Sequence, residues 1–145
     1  IIADPDISIC SDGSPTGFHP RGHGTFAKMI ELYVNERKVL SLPEAVRKMT
    51  SLPAKTLQIT DRGVLREGMK ADLIIFDPSK VHEKATDPDP CQFAVGFDLV
   101  IINGKVAREN GTMVEEKAGA ILKPALATMQ VADPVHVAFI RGWTQ

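Results

Sequence analysis

The spacing of apolar residues changes near residue 60, and this change constrains the fold more than any other feature of the sequence. From Thr25 onward, apolar residues recur at helical spacing. After Asp61 the period shortens to about two residues and turn-forming residues become frequent. We therefore predict a helical part over residues 1–60 and a small β module over residues 61–124. The helically spaced residues are Phe26, Met29, Ile30, Tyr33 and Val34.

Two further helices are predicted in the helical part, after the one that begins at Thr25. Ser41 and Glu44 have the spacing of a capping box, in which the serine hydroxyl accepts from a free backbone N–H and the glutamate reaches back. Thr50, followed by Pro53, is another pattern typical of the start of a helix. The sequence therefore predicts a second helix after Ser41 and a short third helix after Thr50.

A short buried strand is predicted over residues 7–10, followed by a loop rich in glycine and proline. Asp12 comes just after this apolar run, and the loop extends to Gly24. In α/β barrels, active sites are built at the carboxyl ends of the strands. Asp12 is therefore the strongest catalytic candidate, and a turn or helix cap is its competing interpretation.

The same loop carries an arginine and two histidines. Arg21 could bind a carboxylate through two parallel hydrogen bonds, although a solvated loop arginine is the simpler interpretation. His19 and His23 are four residues apart, so on a helix they would share a face and could bind a metal. Pro20 and Gly22 lie between the two histidines and disfavour a helix there, so a paired-histidine metal site is disfavoured too.

Turn signals divide the β module into short strands. Residues 71–76 are predicted to form one strand. Asn103 and Gly104 separate two alternating segments and are the strongest hairpin signal in the chain, because both residues tolerate positive φ. Residues 125–145 permit one more strand and are otherwise an unassigned tail.

Composition excludes several classes of partner. The chain has 17 Lys+Arg against 18 Asp+Glu, a net charge of -1, and its basic residues are scattered, so we expect no nucleic acid and no anionic membrane as partner. Its apolar runs are far shorter than the roughly 20 residues that cross a bilayer. Cys10 and Cys91 do not make a disulfide framework, and their surroundings in the sequence indicate burial. We therefore expect a cytoplasmic protein.

Several motifs follow one another along the chain: Ser11-Asp12-Gly13, His19-Pro20-Arg21, Gly24-Thr25-Phe26, Ser41-Leu42-Pro43-Glu44 and Ala71-Asp72-Leu73. Their order and approximate spacing resemble those of the amidohydrolase superfamily. The His-Pro-Arg loop before Gly-Thr-Phe is less widely shared in that superfamily and resembles D-aminoacylases, the N-acyl-D-amino-acid deacylases. This resemblance implies an α/β plus β fold: the last strand, active-site loop and helices of a (β/α)8 metal-dependent hydrolase barrel over residues 1–60, then part of a small β-sandwich.

The resemblance also implies a chemistry. Asp12 would match the aspartate at the end of the eighth barrel strand, beside a zinc cofactor, where it takes a proton from metal-bound water and passes it to the departing amine. Arg21 would bind the α-carboxylate of the substrate, and His19 would border that substrate or shape the loop. The implied activity is hydrolysis of the amide bond of a small N-acyl-D-amino acid.

Two departures from the superfamily pattern limit this expectation. The sequence has no His-x-His pair and lacks the other metal ligands, and it begins at Ile1 rather than at methionine. We expect a piece of a longer enzyme, inactive alone, whose incomplete fold needs the rest of the barrel or another subunit. Two alternatives stay open: a cyclic-amide hydrolase of the dihydroorotase or hydantoinase type, and a non-catalytic, detached fragment that serves as a binding or assembly module.

Overall fold

The computed structural model describes residues 1–14, 16–114 and 117–123. The predicted tail over residues 125–145 lies outside these ranges. Three helices occupy the first part of the chain, and the first of them continues without a break into a π-helical segment. They are α1 (Arg21–Lys28), the π-helical segment (Met29–Glu36), α2 (Leu42–Met49) and α3 (Ser51–Thr56).

Helix α1 begins at Arg21, four residues before the predicted start at Thr25. Pro20 is its N-cap residue, with a φ of -51°, and proline suits a helix start because the first N–H groups have no helical partner. Two glycines follow in the helix, although glycine has poor helix propensity. A Cβ on Gly24 would lie 2.2 Å from Oε1 of Glu83, so close packing against Glu83 explains glycine at this position.

Helix α2 confirms one half of the predicted capping box. Ser41 is the N-cap, and its hydroxyl accepts a hydrogen bond from the backbone N–H of Glu44 at 3.4 Å. The Glu44 carboxylate does not reach back, because it binds the guanidinium of Arg47 at 2.7 and 2.8 Å. Two charge-assisted hydrogen bonds within one helical turn outweigh a single bond to the backbone.

Residues 7–10 do not form the predicted strand. The backbone N–H of Ile9 donates to the carbonyl oxygen of Lys48 at 3.0 Å, so the segment is attached to α2 rather than to a sheet. A β-strand exists only through hydrogen bonds to a neighbouring strand. In the described ranges, the four strands of the sheet come later in the chain, and none of them pairs with this segment.

The β module forms one antiparallel sheet, with strands in the order β1-β2-β3-β4. The hairpin between β2 and β3 is confirmed, since Asn103 and Gly104 have φ values of 51° and 79°, as a type I′ turn requires. The predicted strand over residues 71–76 is confirmed as β1. The strands are β1 (Leu73–Phe76), β2 (Phe97–Ile102), β3 (Lys105–Glu109) and β4 (Thr112–Met113).

Among the described residues, buried apolar side chains form two core clusters. One contains Ala27, Ile30 and Val81, with Phe76 and Phe97 packed against it, so it draws residues from both sides of position 60. The other lies among the helices and contains Met29, Leu40 and Ala45.

The predicted burial of the two cysteines is wrong. Cys10 and Cys91 are both exposed and free. Cys10 lies in the segment that lacks strand pairing, and Cys91 lies in the loop between β1 and β2, so neither side chain is covered by a helix or a sheet. Among the helices that the structure describes, none is long and apolar enough to cross a membrane.

Candidate active site

Asp12 lies in the loop before α1, in the left-handed backbone region with a φ of 50°. Aspartate is among the residues that adopt this conformation most readily. Its side chain is 71% exposed. The carboxylate is therefore presented to solvent from the loop rather than covered by the core.

Arg21, the first residue of α1, binds this carboxylate. Its Nη2 donates to Oδ2 of Asp12 at 2.5 Å. The arginine side chain is 52% exposed, so the pair is screened by solvent and contributes at most about 1 kcal/mol to stability. The structure thus brings together two of the three predicted site residues through a contact that is easily exchanged.

His19, the third predicted site residue, acts on the backbone of the same arginine. Its Nδ1 accepts a hydrogen bond from the N–H of Arg21 at 3.1 Å. This bond satisfies a free donor at the start of α1. His19 therefore shapes the turn into the helix and orients the residue that contacts Asp12.

The histidines and carboxylates do not gather into a metal site within the described ranges. No group of three or more His, Cys, Asp or Glu side chains among residues 1–14, 16–114 and 117–123 could hold a metal ion. His19 lies just before α1 and His23 lies within it. Carboxylate oxygen and imidazole nitrogen are both donors that zinc accepts, so Asp12, His19 and His23 each have the chemistry of a single zinc ligand, although they do not form a three-ligand site together.

A sequence model of the amidohydrolase family matches residues 4–108 of the chain. The chain belongs to this family. The matched range contains Asp12, Arg21 and His19 together with α1 to α3 and most of the sheet. The resemblance inferred from the sequence motifs is therefore confirmed.

Individual relatives within the amidohydrolase family are N-acyl-D-amino-acid deacylases. The chain is 38% identical over 126 residues to an N-acyl-D-aspartate deacylase of Alcaligenes xylosoxydans xylosoxydans, a match that covers 86% of this chain and 25% of that protein. It is 35% identical to a crystal structure of D-aminoacylase with a TM-score of 0.80, covering 85% of this chain and 26% of that one.

A second solved structure carries a bound metal and an inhibitor. It is the N-acyl-D-glutamate deacylase of Bordetella bronchiseptica, complexed with zinc and a phosphonate that mimics the tetrahedral intermediate. The TM-score is 0.71 at 34% identity, with 85% of this chain and 25% of that chain covered. The chain spans about a quarter of the length of the relatives described here.

A polar cleft of about 620 Å³ opens beside the Asp12–Arg21 pair. Residues of α1 form one wall, and residues 83–88, in the loop between β1 and β2, form the other. Lys28 and Glu83 join the walls through an ion pair of 3.1 Å. Sequence analysis did not predict this contribution of the β module, because the two walls of the cleft lie far apart in the sequence. The polar lining residues are His19, Arg21, Thr25, Lys28, Glu83, Thr86 and Asp87.

Glu31, in the π-helical segment, connects the helices to the same loop. Its carboxylate accepts from Nδ1 of His82 at 2.9 Å and from the backbone N–H of Glu83 at 2.7 Å. Partial burial raises the pKa of the Glu31 carboxyl, but the hydrogen bonds from His82 and Glu83, together with the charges of His82 and Lys28, hold the pKa below its ordinary value. Glu31 is thus an anionic anchor for the wall of the cleft.

Replacing Glu31 with glutamine should reduce the acid sensitivity of the fold. Because the pKa of Glu31 is lower in the folded chain, its contribution is complete above the ordinary value of 4.5 and is lost as the pH falls through the folded value. Urea unfolding should show a stability difference between wild type and Glu31→Gln at pH 7 that shrinks as the pH falls below 4.5. The exposed Glu67→Gln is the control, and an equal pH dependence in both variants would contradict the assignment.

Proposed function

We propose that this chain is part of a zinc-dependent hydrolase that cleaves the amide bond of N-acyl-D-amino acids. The observation that carries the proposal is the 2.5 Å contact of Asp12 with Arg21. The contact brings together the Asp12 carboxylate, which can accept and return a proton, and the Arg21 guanidinium, which can bind a carboxylate. An N-acyl amino acid presents both targets, a scissile amide and an α-carboxylate.

Each of the three residues has a role in this proposal. Asp12 accepts a proton from the attacking water and returns it to the nitrogen of the departing amine. Arg21 binds the α-carboxylate, and its exposed pair with Asp12 is weak enough to exchange for the substrate. His19 orients Arg21 through the backbone hydrogen bond and borders the substrate.

The proposed cofactor is zinc, and Asp12 is the residue of this chain that would bind it. A bound zinc ion would lower the pKa of a water molecule to about 7 and so provide the nucleophile. Zinc sites use several protein ligands, commonly histidines, and this sequence has no His-x-His pair. We propose that the other ligands lie on barrel strands outside this chain, so that the isolated chain is inactive.

The proposed architecture follows from the similarity to the N-acyl-D-amino-acid deacylases. Residues 1–60 contribute the active-site loop and helices at the end of a (β/α)8 barrel, and residues 61–124 contribute part of a small β-sandwich. The shared cluster around Ile30 and Val81 supports a fixed arrangement of the two parts. The rest of the barrel, or another subunit, would cover apolar side chains that the chain leaves exposed, such as Leu65 and Ile74.

A chimaeric enzyme tests the function. In it, this chain replaces the matching quarter of the N-acyl-D-aspartate deacylase to which it is 38% identical. We expect hydrolysis of N-acetyl-D-amino acids in the presence of zinc, and a loss of about 100-fold or more in kcat for Asp12→Asn. The exposed Asp98→Asn is the matched control and should retain activity.

Two comparisons in the same assay separate the alternatives. Faster hydrolysis of hydantoin or dihydroorotate than of N-acetyl-D-amino acids would favour a cyclic-amide hydrolase. A folded chimaera without any amidase activity would favour a non-catalytic module. The isolated chain with excess zinc is the blank, and turnover above buffer there would contradict the proposed need for ligands from outside the chain.

A further inference from the structure

Lys48, in the last turn of α2, is completely buried, with an exposed fraction of 0%. Its ammonium group donates to the carbonyl oxygens of Asp4 and Ile7, the latter at 2.8 Å. The carbonyl oxygen of the same lysine accepts from the N–H of Ile9 at 3.0 Å. One residue therefore holds the segment 4–9 through three hydrogen bonds.

The chemistry of this contact is unusual for a residue that only fills the core. Removing an ammonium group from water is costly, and the two acceptors observed are neutral carbonyl groups rather than a carboxylate. An apolar side chain of similar length would occupy the same space without that cost. What the ammonium adds is direction, because its N–H donors fix the position of the carbonyl groups that they bind.

The segment that Lys48 holds leads directly to Asp12. Asp12 is the third residue after Ile9, so their Cα atoms lie within about 11 Å of each other. Residues 7–10 have no strand pairing to fix them within the described ranges. Before Asp12, the chain is held by Lys48, by a hydrogen bond from Nη2 of Arg47 to the carbonyl oxygen of Pro5, and by the packing of Ile9 against the core cluster among the helices. After Asp12, Gly13 lies close to the backbone of Gly22.

We propose that Lys48 is a positioning residue for Asp12. Its ammonium group fixes the course of residues 4–9 and thereby the place at which the Asp12 carboxylate meets Arg21. This role rests on the proposed function, in which Asp12 moves the proton. It explains why a buried charge is found at a site where an apolar residue would fill the core.

Hydrogen exchange of the full chain tests the anchor without any assay of activity. Lys48→Met removes the donors and keeps the length of the side chain, and Lys55→Met is the same change at an exposed position of α3. We expect exchange about tenfold faster or more in residues 4–14 of Lys48→Met, with little change in the sheet. Unchanged exchange in residues 4–14, or an equal increase throughout the chain, would overturn the proposal.

Lys48→Gln is a second variant, which keeps the test valid if Lys48→Met does not fold. Its amide keeps two N–H donors, so we expect exchange in residues 4–14 to be intermediate between wild type and Lys48→Met. Should Lys48→Met not fold, faster exchange confined to residues 4–14 of Lys48→Gln supports the anchor. Exchange identical to that of Lys55→Met overturns it.

The chimaeric enzyme then tests the link to catalysis. A displaced Asp12 lowers kcat about tenfold in Lys48→Met, while KM stays within about twofold of wild type. Equal effects on kcat and KM, or none relative to Lys55→Met, would reject the positioning role. Should the wild-type chimaera be inactive, the proposed function fails, and hydrogen exchange still decides whether Lys48 holds the segment.

Discussion

Gly96→Ala should destabilise the chain by about 3 kcal/mol, because a side chain at this position has an unfavourable backbone angle and no space. Gly96 has a φ of 88°, and a Cβ there would lie 2.4 Å from the carbonyl oxygen of Lys80. The obstacle is backbone, so no rotation of a side chain can relieve it. The adjacent pairing of His82 with Val95 would have to shift to make room.

Gly68→Ala is the matched control for this variant. Its φ of 83° is nearly the same, but a Cβ there would meet nothing within 4 Å. We expect a cost of about 1 kcal/mol, which reports the backbone angle alone. Urea unfolding gives the loss of unfolding free energy for each variant, and the difference between the two losses is the cost of the close approach of Gly96 to Lys80. Equal losses of stability would contradict that close approach.

Ile30→Ala should cost about 3 kcal/mol of unfolding free energy, because it opens a cavity where the helices meet the sheet module. Ile30 is 3% exposed and packs in one cluster with Ala27 and Val81. Because the cluster contains residues from both sides of position 60, its loss should loosen the helical and β parts together.

The same substitution at an exposed isoleucine provides the comparison. Ile75, in β1, is 56% exposed, and its truncation should cost well under about 1 kcal/mol in the isolated chain. Urea unfolding followed by circular dichroism measures both variants. A cost at Ile30 as small as that at Ile75 would contradict the shared core.

The features that the sequence predicted well are those that depend on near neighbours. The hairpin at Asn103 and Gly104 requires two residues that tolerate positive φ, and those residues are visible in the sequence. The cap at Ser41 requires only a donor three residues away.

The features that the sequence predicted poorly depend on distant contacts. Helix α1 packs through Gly24 against Glu83, which lies 59 residues further along the chain. The strand expected over residues 7–10 needed a neighbouring strand, and the segment binds Lys48 instead.

The candidate site divides in the same way. From the sequence, Asp12 is the strongest catalytic candidate, and the resemblance to D-aminoacylases adds Arg21 and His19 as candidate substrate-binding residues, because the chemistry of carboxylate, guanidinium and imidazole groups is recognisable without coordinates. Only the tertiary structure decided that Asp12 and Arg21 touch, and that Lys48 holds the segment leading to them. Side-chain chemistry is a property of each residue, whereas these contacts depend on how the helices bring distant segments of the chain together.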